Sequence, residues 1–353
     1  MRQTPRQGEA IFSVKSDISI RVGRSRAAAQ RCYRISPTTW SESVTLLHFA
    51  VHALCNGRSM TVYNVGSINI DLVYQVPHLV MAGETLSSLS MNTLLGGKGA
   101  NQSVAVARAG SPVCHVGRIG RADHWAVDQM KAAGVDITHV DLIDGASGHA
   151  IIQVDNEGEN SIILHGGANQ SFTRSSLESH LQDASSEDWL LIQNECNDIS
   201  VALDIAVNKG MKIMFNPAPM TADVAALPLE RCAVLIVNET EAESLAGSSD
   251  PTQILAHLAN RYPDTLLVMT LGSKGALLQH SGQLIRHDAL VVDVVDTTGA
   301  GDTFVGYFLA SMIAGLDDAS CLQRACTAAA LSVTQSGAAP SIPDAKAVDA
   351  FHR

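Results

Sequence analysis

Aromatic residues are scarce in this sequence: Phe, Trp and Tyr together make up 4% of 353 residues. A large core must therefore rest on Val, Ile, Leu and Ala, which favours buried parallel strands covered by helices. No apolar run reaches the ~18 residues of a membrane span. The seven cysteines contain no CxxC pair, so we interpret them as reduced thiols of an intracellular protein rather than as a disulfide framework.

Basic residues are also few outside the first part of the chain. The formal net charge is −11, although residues 1–59 carry nine Lys or Arg and three Asp or Glu. This segment therefore contributes +6, and the remainder carries −17. Such an acidic body argues against binding to nucleic acid or to a membrane surface.

Residues 1–59 are predicted to form a separate N-terminal extension. Their arginines, scattered among Ser, Gln and Ala, resemble an organelle transit peptide in composition. A disordered tail, or a true start at Met60, is the simpler interpretation, although residues 43–54 are apolar enough for a short helix. We predict a cytoplasmic protein, with a nuclear location and organelle targeting by the extension left open.

From Thr61 onward, apolar strands alternate with helices. Runs such as WLLIQNE and AVLIVNETE end in polar residues, and helical stretches follow at 199–208, 239–246 and 251–261. This pattern predicts an α/β fold with a mostly parallel sheet, whose ligands bind beyond the carboxyl ends of the strands. The other predicted elements are a hairpin of 149–154 and 160–165, a hairpin-like region over 276–295, and helices over 98–110, 125–133, 301–314 and 318–335.

The segment DTTGAGDTF, residues 296–304, carries the strongest chemical signal. It follows an apolar run (LVVDVV) that we interpret as a strand, and it opens an Ala- and Gly-rich helix. Small residues leave the amides of 299–302 exposed at a helix N-terminus, which suits a phosphate or a transferring phosphoryl group. Asp302 is either an ordinary helix-start acid or a base that accepts a proton from an attacking hydroxyl beside that anion site.

Two further segments suit a polyol. GGKGANQ, residues 96–102, places Asn101 at a helix start after glycines that allow a ligand to approach; the alternative is a Gly-rich turn with a solvated Lys98. GSINID, residues 66–71, places Asn69 and Asp71 two positions apart, so on an extended segment both side chains point the same way. The alternative for this pair is an Asx turn at a strand end.

Two weaker segments suit a nucleotide and its metal. In NETE, Asn238 and Glu241 could hold a hydrated Mg²⁺ near phosphates, or they could form a capping box at a helix start. The segment from Thr270 to Gly275 could line a nucleotide or form a plain turn.

Several motifs that would indicate other classes of enzyme are absent from the sequence. There is no Walker A spacing, no HExxH pair and no Gly-x-Ser-x-Gly elbow. Gly66 stands alone after the first strand of the regular region, so a dinucleotide-binding fold is disfavoured.

These segments resemble the signatures of the ribokinase-like (PfkB) family of carbohydrate kinases. DTTGAGDTF and GGKGANQ match its two signatures, NETEAE matches its Asn-x-x-Glu element, and the resemblance runs from about Met60 to the C-terminus. GSINID, GGKGANQ, GEGEN and GAAPSIP are most similar to the members that phosphorylate ribose. The resemblance implies a ribokinase-like three-layer α/β/α sandwich over 60–353, with a mostly parallel central sheet. It also implies a small β-sheet lid from about 72–95 and 147–166 that often makes a homodimer.

The resemblance also implies three groups of binding residues. D-ribose would contact Asn69, Asp71, Gly97, Lys98, Gly99, Asn101, Glu195 and Asp302. ATP would contact Asn238, Thr270, Gly272, Ser273, Gly275, Gly301 and Cys326, the last at a position where family members often have a polar residue near the adenine. A monovalent cation, usually K⁺, would be held by Asp296, Thr298, Ser332, Gln335, Gly337 and Ser341, several of them through backbone carbonyls. Mg²⁺ would be held indirectly by Asn238 and Glu241.

The implied reaction is transfer of the γ-phosphate of ATP to the 5-hydroxyl of D-ribose. Asp302 would act as the base, and the amides of Gly299, Ala300 and Gly301 would stabilise the developing charge. Mg²⁺ and K⁺ are the implied cofactors. The alternatives are a kinase of the same family for deoxyribose, a ketohexose or a nucleoside, a non-catalytic sugar-binding regulator and, more distantly, an NAD-linked dehydrogenase.

Overall fold

A computed structural model describes residues 10–14, 18–22, 60–247 and 250–351. The contacts divide the chain into Met1–Gly57 and Arg58–Arg353. In the first unit, strands β1 (Ala10–Val14) and β2 (Ile18–Val22) pair antiparallel. The short helix predicted at 43–54 lies outside the described residues, and the role of 1–59 stays a prediction. Within the described ranges, no helix is long and apolar enough to cross a membrane.

The second unit is built on a nine-stranded sheet with the order β15-β14-β13-β12-β11-β10-β3-β6-β7. Neighbouring strands from β13 to β7 run parallel, and β14 and β15 add an antiparallel hairpin at one edge. The strands are β3 (Val62–Val65), β6 (Val113–Gly120), β7 (Asp136–Ile143), β10 (Trp189–Gln193), β11 (Lys212–Asn216), β12 (Val234–Asn238), β13 (Leu266–Thr270), β14 (Ala276–His280) and β15 (Gln283–His287).

Helices cover both faces of this sheet and create two separate hydrophobic cores. In β10, Leu191 packs into a core that contains Phe304 and Phe308, whereas Leu190 packs with Leu203 on the opposite face. This alternation follows from the two-residue period of a strand, and it produces three layers. The first core includes α1 (Lys98–Arg108), α2 (His124–Ala132), α7 (Ala300–Ile313), α8 (Asp318–Ser332) and α9 (Ala345–Ala350). The second includes α3 (Arg174–His180), α4 (Ile199–Lys209), α5 (Glu239–Ala246) and α6 (Pro251–Arg261).

A second sheet of four strands stands apart from the nine-stranded one. Its order is β5-β4-β8-β9, formed by β4 (Asn69–Gln75), β5 (Ser90–Gly96), β8 (Gly148–Val154) and β9 (Asn160–His165). The two central strands run parallel, and each outer strand pairs antiparallel. This sheet corresponds to the predicted lid segments, and it begins at Asn69, a few residues before the predicted boundary.

The region before α7 differs from its sequence prediction. The hairpin predicted over 276–295 ends at His287, and residues 288–299 contain neither helix nor strand. The apolar run 290–295 was therefore wrongly interpreted as a strand: no neighbouring strand pairs with it, and Val291 is fully exposed (101%). Hydrophobicity alone predicts burial, but a strand also needs a partner for its backbone.

Candidate active site

Two helix N-termini meet beyond the carboxyl ends of the parallel strands. α1 begins at Lys98 and α7 at Ala300, and the two helices pack closely because Gly306 has no side chain. A Cβ added to Gly306 would lie 2.3 Å from the Cβ of Ala105. One helical turn earlier, the same packing places Asp302 against Asn101. The glycine therefore allows the approach that brings two distant sequence motifs together.

The carboxylate of Asp302 is buried and held by two side-chain amides of α1. Its Oδ2 accepts a hydrogen bond from Asn101 Nδ2, and its Oδ1 accepts one from Gln102 Nε2, both at 3.0 Å. Only 7% of the residue is exposed. The sequence pointed to Asp302 and Asn101, but it gave Gln102 no role. Each carboxylate oxygen can accept a second hydrogen bond, so the group remains able to accept a proton.

The first turn of α7 presents backbone donors beside this carboxylate. The N-cap residue Gly299 has a φ of 75°, a conformation that favours glycine, and no side chain caps the helix. Within the described part of the chain, the amides of Gly299, Gly301 and Asp302 have no acceptor. The amide of Ala300 donates to Thr297 O at 3.3 Å. The expectation of four unpaired amides is therefore corrected to three.

Asn69 and Asp71 lie at the start of β4, the strand of the four-stranded sheet that follows β3 of the central sheet along the chain. Asn69 Oδ1 accepts a hydrogen bond from Asn169 Nδ2 at 2.7 Å, a contact that the sequence did not indicate. The carboxylate of Asp71 lies over Gly96, since an added Cβ there would come within 2.0 Å of Oδ2. Burial, followed by the negative charges of Glu195 and Asp302, raises the pKa of Asp71 to about 6. Asp71, Glu195 and Asp302, all predicted to contact the sugar, therefore form one acidic cluster.

The glycine-rich turn before α1 is fixed by Glu195. Glu195 Oε2 accepts hydrogen bonds from Ser67 Oγ at 2.5 Å and from the amide of Lys98 at 3.0 Å. Gly97 has a φ of 91°, and an added Cβ would lie 2.8 Å from the amide nitrogen of Asn69. A side chain at this position is therefore excluded by both strain and space. Gly99 is equally crowded, because an added Cβ would lie 2.4 Å from Ser67 N.

Lys98 is the cation of this acidic site. The charge of Asp302, followed by those of Glu195 and Glu241, raises the pKa of Lys98 despite its burial. Burial raises the pKa of Glu195, and burial likewise raises that of Glu241. A positively charged ammonium among several carboxylates lowers their mutual repulsion, so Lys98 helps to hold the cluster together.

A cavity of about 540 Å³ opens beside the start of α7. Apolar side chains form most of its wall, including those of Leu290, Val292 and Phe304. Six of the seven residues predicted to contact ATP line it: Thr270, Gly272, Ser273, Gly275, Gly301 and Cys326. The seventh, Asn238, does not line the cavity but pairs with Thr270 in the register of β12 and β13.

Asn238 and Glu241 form the capping box that the sequence left as an alternative. Asn238 Oδ1 accepts from the amide of Glu241 at 2.8 Å, and Glu241 Oε2 accepts from the amide of Asn238 at 2.9 Å. These contacts stabilise the start of α5. They use one oxygen of each side chain, so an interaction with hydrated Mg²⁺ would rest on the second oxygen of Glu241.

The predicted K⁺ residues lie on two segments joined by Asp296. Its Oδ1 accepts from the amide and the hydroxyl of Thr298, and its Oδ2 accepts from the amide of Gly337. Burial alone would raise the pKa of Asp296, but these hydrogen bonds outweigh it and lower the pKa. In the described residues, no cluster of three or more His, Cys, Asp or Glu could hold a metal ion. Of the remaining predicted ligands, Ser332 is the last residue of α8, and Gln335 and Ser341 lie in the turns that follow it.

Comparison with known proteins identifies the family. Residues 61–345 match the pfkB family of carbohydrate kinases. The chain is 35% identical over 296 residues to a ribokinase of Haemophilus influenzae, covering 81% of this chain and 95% of that protein. It is 30% identical over 296 residues to a deoxyribokinase of Salmonella typhi, covering 80% and 96%.

A solved structure of Arabidopsis thaliana ribokinase complexed with ribose and ATP shows the same fold. It superposes with a TM-score of 0.75 at 32% identity, covering 83% of this chain and 99% of that one. The predicted ribokinase-like α/β fold is thus confirmed. Because residues 61–345 match the family, and because the fold and the sequence identity to these relatives agree with that match, this chain belongs to the PfkB family of carbohydrate kinases.

Proposed function

We propose that this chain transfers the γ-phosphate of ATP to the 5-hydroxyl of D-ribose, with Asp302 as the general base. One observation carries the proposal. A buried carboxylate, positioned by two amide side chains, lies directly beside the unpaired amides of Gly299, Gly301 and Asp302. A base and an anion site in contact are what phosphoryl transfer to an alcohol requires.

Asn101 supports a sugar site next to this base. Its Nδ2 contacts Asp302, whereas its buried Oδ1 has no partner in the described part of the chain. An unsatisfied buried acceptor costs free energy, and a hydroxyl of the substrate would satisfy it. Asp71, Asn69 and the Lys98 ammonium would bind the other hydroxyls, with Gly97, Gly99 and Glu195 shaping the turn around them.

The proposed chemistry then needs two contributions from the protein. Asp302 removes the proton from the attacking hydroxyl, which typically contributes about 10²–10⁴ in rate. The amides at the start of α7 stabilise the negative charge that develops on the transferred group, at ~3 kcal/mol for a typical donor. A Cβ at Gly301 would meet no atom within 4 Å, so the space above this turn is open to a phosphoryl group.

ATP would occupy the cavity beside α7. Its apolar wall suits a nucleobase, and Thr270, Ser273 and the glycines between β13 and β14 would approach the ribose and phosphates. Cys326 contributes a small side chain to the wall; burial raises the pKa of its thiol to about 12, which makes it an unreactive lining group.

Two cations complete the proposal. The oxygen-rich turns around Asp296 fit K⁺, which would order the segment that leads into Gly299. Glu241 would face a hydrated Mg²⁺, which would shield the charges of the phosphates. K⁺ would thus act through the position that it gives to protein groups, and Mg²⁺ through its charge.

The four-stranded sheet would cover the sugar and exclude water, which otherwise hydrolyses ATP. Its outer surface supports a homodimer. Ile162, Ile163 and Leu164 on β9 are at least half exposed, as are Leu89 and Met91 near β5. β9 and β5 are the two edge strands of this sheet. Exposed apolar residues on an edge strand favour a protein contact, and a second copy of this chain is the proposed partner.

The test is an ADP-release assay with ribose, deoxyribose, fructose and adenosine as acceptors. Highest kcat/KM with ribose is expected. The similarity to a deoxyribokinase makes deoxyribose the second candidate, and preference for it would replace the proposed substrate. Failure to phosphorylate any pentose would favour a sugar-binding regulator. A fusion of residues 1–59 to a reporter tests whether the extension directs the protein to an organelle rather than leaving it in the cytoplasm.

A further inference from the structure

A chain of buried side-chain amides runs from the interior of the central sheet to the carboxylate of Asp302. Its members come from different elements: Asn64 from β3, Gln193 from β10, Gln102 from α1 and Asn216 from β11. All four are at most 8% exposed. Buried amides cost free energy unless they are hydrogen-bonded, so a connected set of four needs an explanation.

Gln102 and Gln193 hydrogen-bond in series toward Asp302, and Asn64 and Asn216 accept from them on either side. Gln102 Nε2 donates to Asp302 Oδ1 at 3.0 Å and to Asn216 Oδ1 at 3.1 Å. Gln102 Oε1 accepts from Gln193 Nε2 at 2.7 Å. Gln193 Nε2 donates its second hydrogen to Asn64 Oδ1 at 3.0 Å. Asn216 Nδ2 donates in turn to Ile236 O at 2.9 Å. Every side-chain NH₂ group of the chain is therefore held by an acceptor, and for Gln102 one of these acceptors is the carboxylate of Asp302.

The far end of the chain is anchored to the backbone. Asn64 Nδ2 donates to Gly99 O and to Ser103 Oγ, both at 2.8 Å. Ser103 Oγ in turn contacts His115 Nδ1 at 2.8 Å. Burial lowers the pKa of His115 to about 3, so this ring is neutral near neutral pH. The anchor therefore adds no charge to the buried chain.

This arrangement fixes the orientation of Gln102. If its amide rotated by half a turn, its oxygen would oppose the carboxylate of Asp302 and its NH₂ group would oppose that of Gln193. Both contacts would be repulsive and unsatisfied in a buried environment. Gln193 thus ensures that a donor, and not an acceptor, faces the base.

We propose that Gln102 is a positioning residue for the base Asp302, and that Gln193 orients Gln102 for this role. The inference rests on the function proposed above. Asn101 holds the other carboxylate oxygen but also offers its own oxygen to the substrate site. The side-chain oxygen of Gln102 accepts from Gln193 instead, so Gln102 fixes the carboxylate whether or not sugar is bound.

The test uses Gln102→Met and Gln193→Met, which keep an unbranched side chain and remove the donors. With the sugar that the native chain phosphorylates best, kcat is expected to fall about 10- to 100-fold in Gln102→Met, the size of effect that misplacing a catalytic group produces. KM for the sugar should change little, because neither residue touches it. Gln193→Met should show the same pattern with a smaller loss.

A double-mutant cycle separates positioning from general damage to the fold. If Gln193 acts through Gln102, the double variant should be no slower than Gln102→Met alone. Thr265→Val is the matched control: it removes a buried hydrogen bond, from Thr265 Oγ1 to Cys232 O at 2.9 Å, outside the amide chain. Its kcat should equal that of the native chain. Should Gln102→Met fail to fold, the split between kcat and KM in Gln193→Met still decides the question.

Three results would overturn the inference: native kcat in both single variants, a loss confined to KM, or losses that multiply in the double variant. A native chain that phosphorylated none of the four acceptors would refute the proposed function and this inference with it. An active native chain with unchanged variants would refute this inference alone.

Discussion

Two glycines of α7 should respond to alanine in opposite ways. At Gly301 an added Cβ meets no atom within 4 Å, and the residue has ordinary helical geometry. Alanine in a helix is favoured over glycine by up to ~1 kcal/mol, so Gly301→Ala should be as stable as the native chain or slightly more so. Its methyl group would nevertheless enter the space proposed for the phosphoryl group.

Gly306 lies in the same helix but against α1. There the added Cβ would be 2.3 Å from Ala105 Cβ and 2.9 Å from the amide nitrogen of Val106. Overpacking of this kind costs about 1–3 kcal/mol. Gly306→Ala should therefore unfold at a lower temperature, whereas Gly301→Ala should not.

The assay combines thermal unfolding with ADP release at saturating sugar. The added methyl group would hold the phosphoryl group away from the amides of this turn. We therefore expect Gly301→Ala to lose about 10²–10³ in kcat, the effect that removing one donor of an anion site typically has, with its melting temperature preserved. Native activity in this folded variant would show that the phosphoryl group does not pass over Gly301. An undiminished melting temperature in Gly306→Ala would show that α1 and α7 do not pack closely enough at Gly306 to exclude a methyl group.

The remaining predictions concern the base, the cation, the acidic cluster and the lid. Asp302→Asn should lower kcat by about 10²–10⁴ while calorimetry finds nearly unchanged sugar affinity; lost affinity at a normal rate would contradict its role. Replacing Na⁺ by K⁺ should raise the rate, and equal rates would remove the K⁺ site. Because the pKa of Asp71 is raised from 3.8 to about 6, the native state binds the extra proton, so the contribution of Asp71 to stability is greatest below the lower value. That contribution falls by up to ~3 kcal/mol as the pH rises from the unfolded-state pKa of 3.8 through the folded-state pKa of about 6. Asp71→Asn should then unfold at a higher temperature than the native chain at pH 8 but not at pH 4, and parallel stability curves would refute the shift. Ile163→Asp on the exposed lid strand should yield monomers by sedimentation if the lid is the dimer contact, and an unchanged mass would refute that contact.

Local patterns predicted most of the secondary structure. α5 and α6 begin and end where the sequence placed them, because capping residues lie next to the first turn: Asn238 and Asp250 each accept a hydrogen bond from an amide three residues on. The strand predicted at 290–295 failed because strand formation depends on a partner that no local pattern reveals. β7 and α3 were missed because their apolar patterns are weak: no residue of β7 is fully buried, and Leu177 is the single apolar residue of α3.

The sequence by itself determined the motifs of the site: small residues before Asp302, glycines before Asn101, and alternating strands and helices that place both at one edge of a sheet. Only the tertiary structure decided which side chains meet. Asp302 contacts Gln102, 200 residues away, and Asn69 contacts Asn169, 100 residues away. Such contacts depend on strand order and on how closely two helices approach, which Gly306 and Ala105 permit. Sequence spacing governs a turn or a cap, but the pairing of a base with its amide donors is a property of packing.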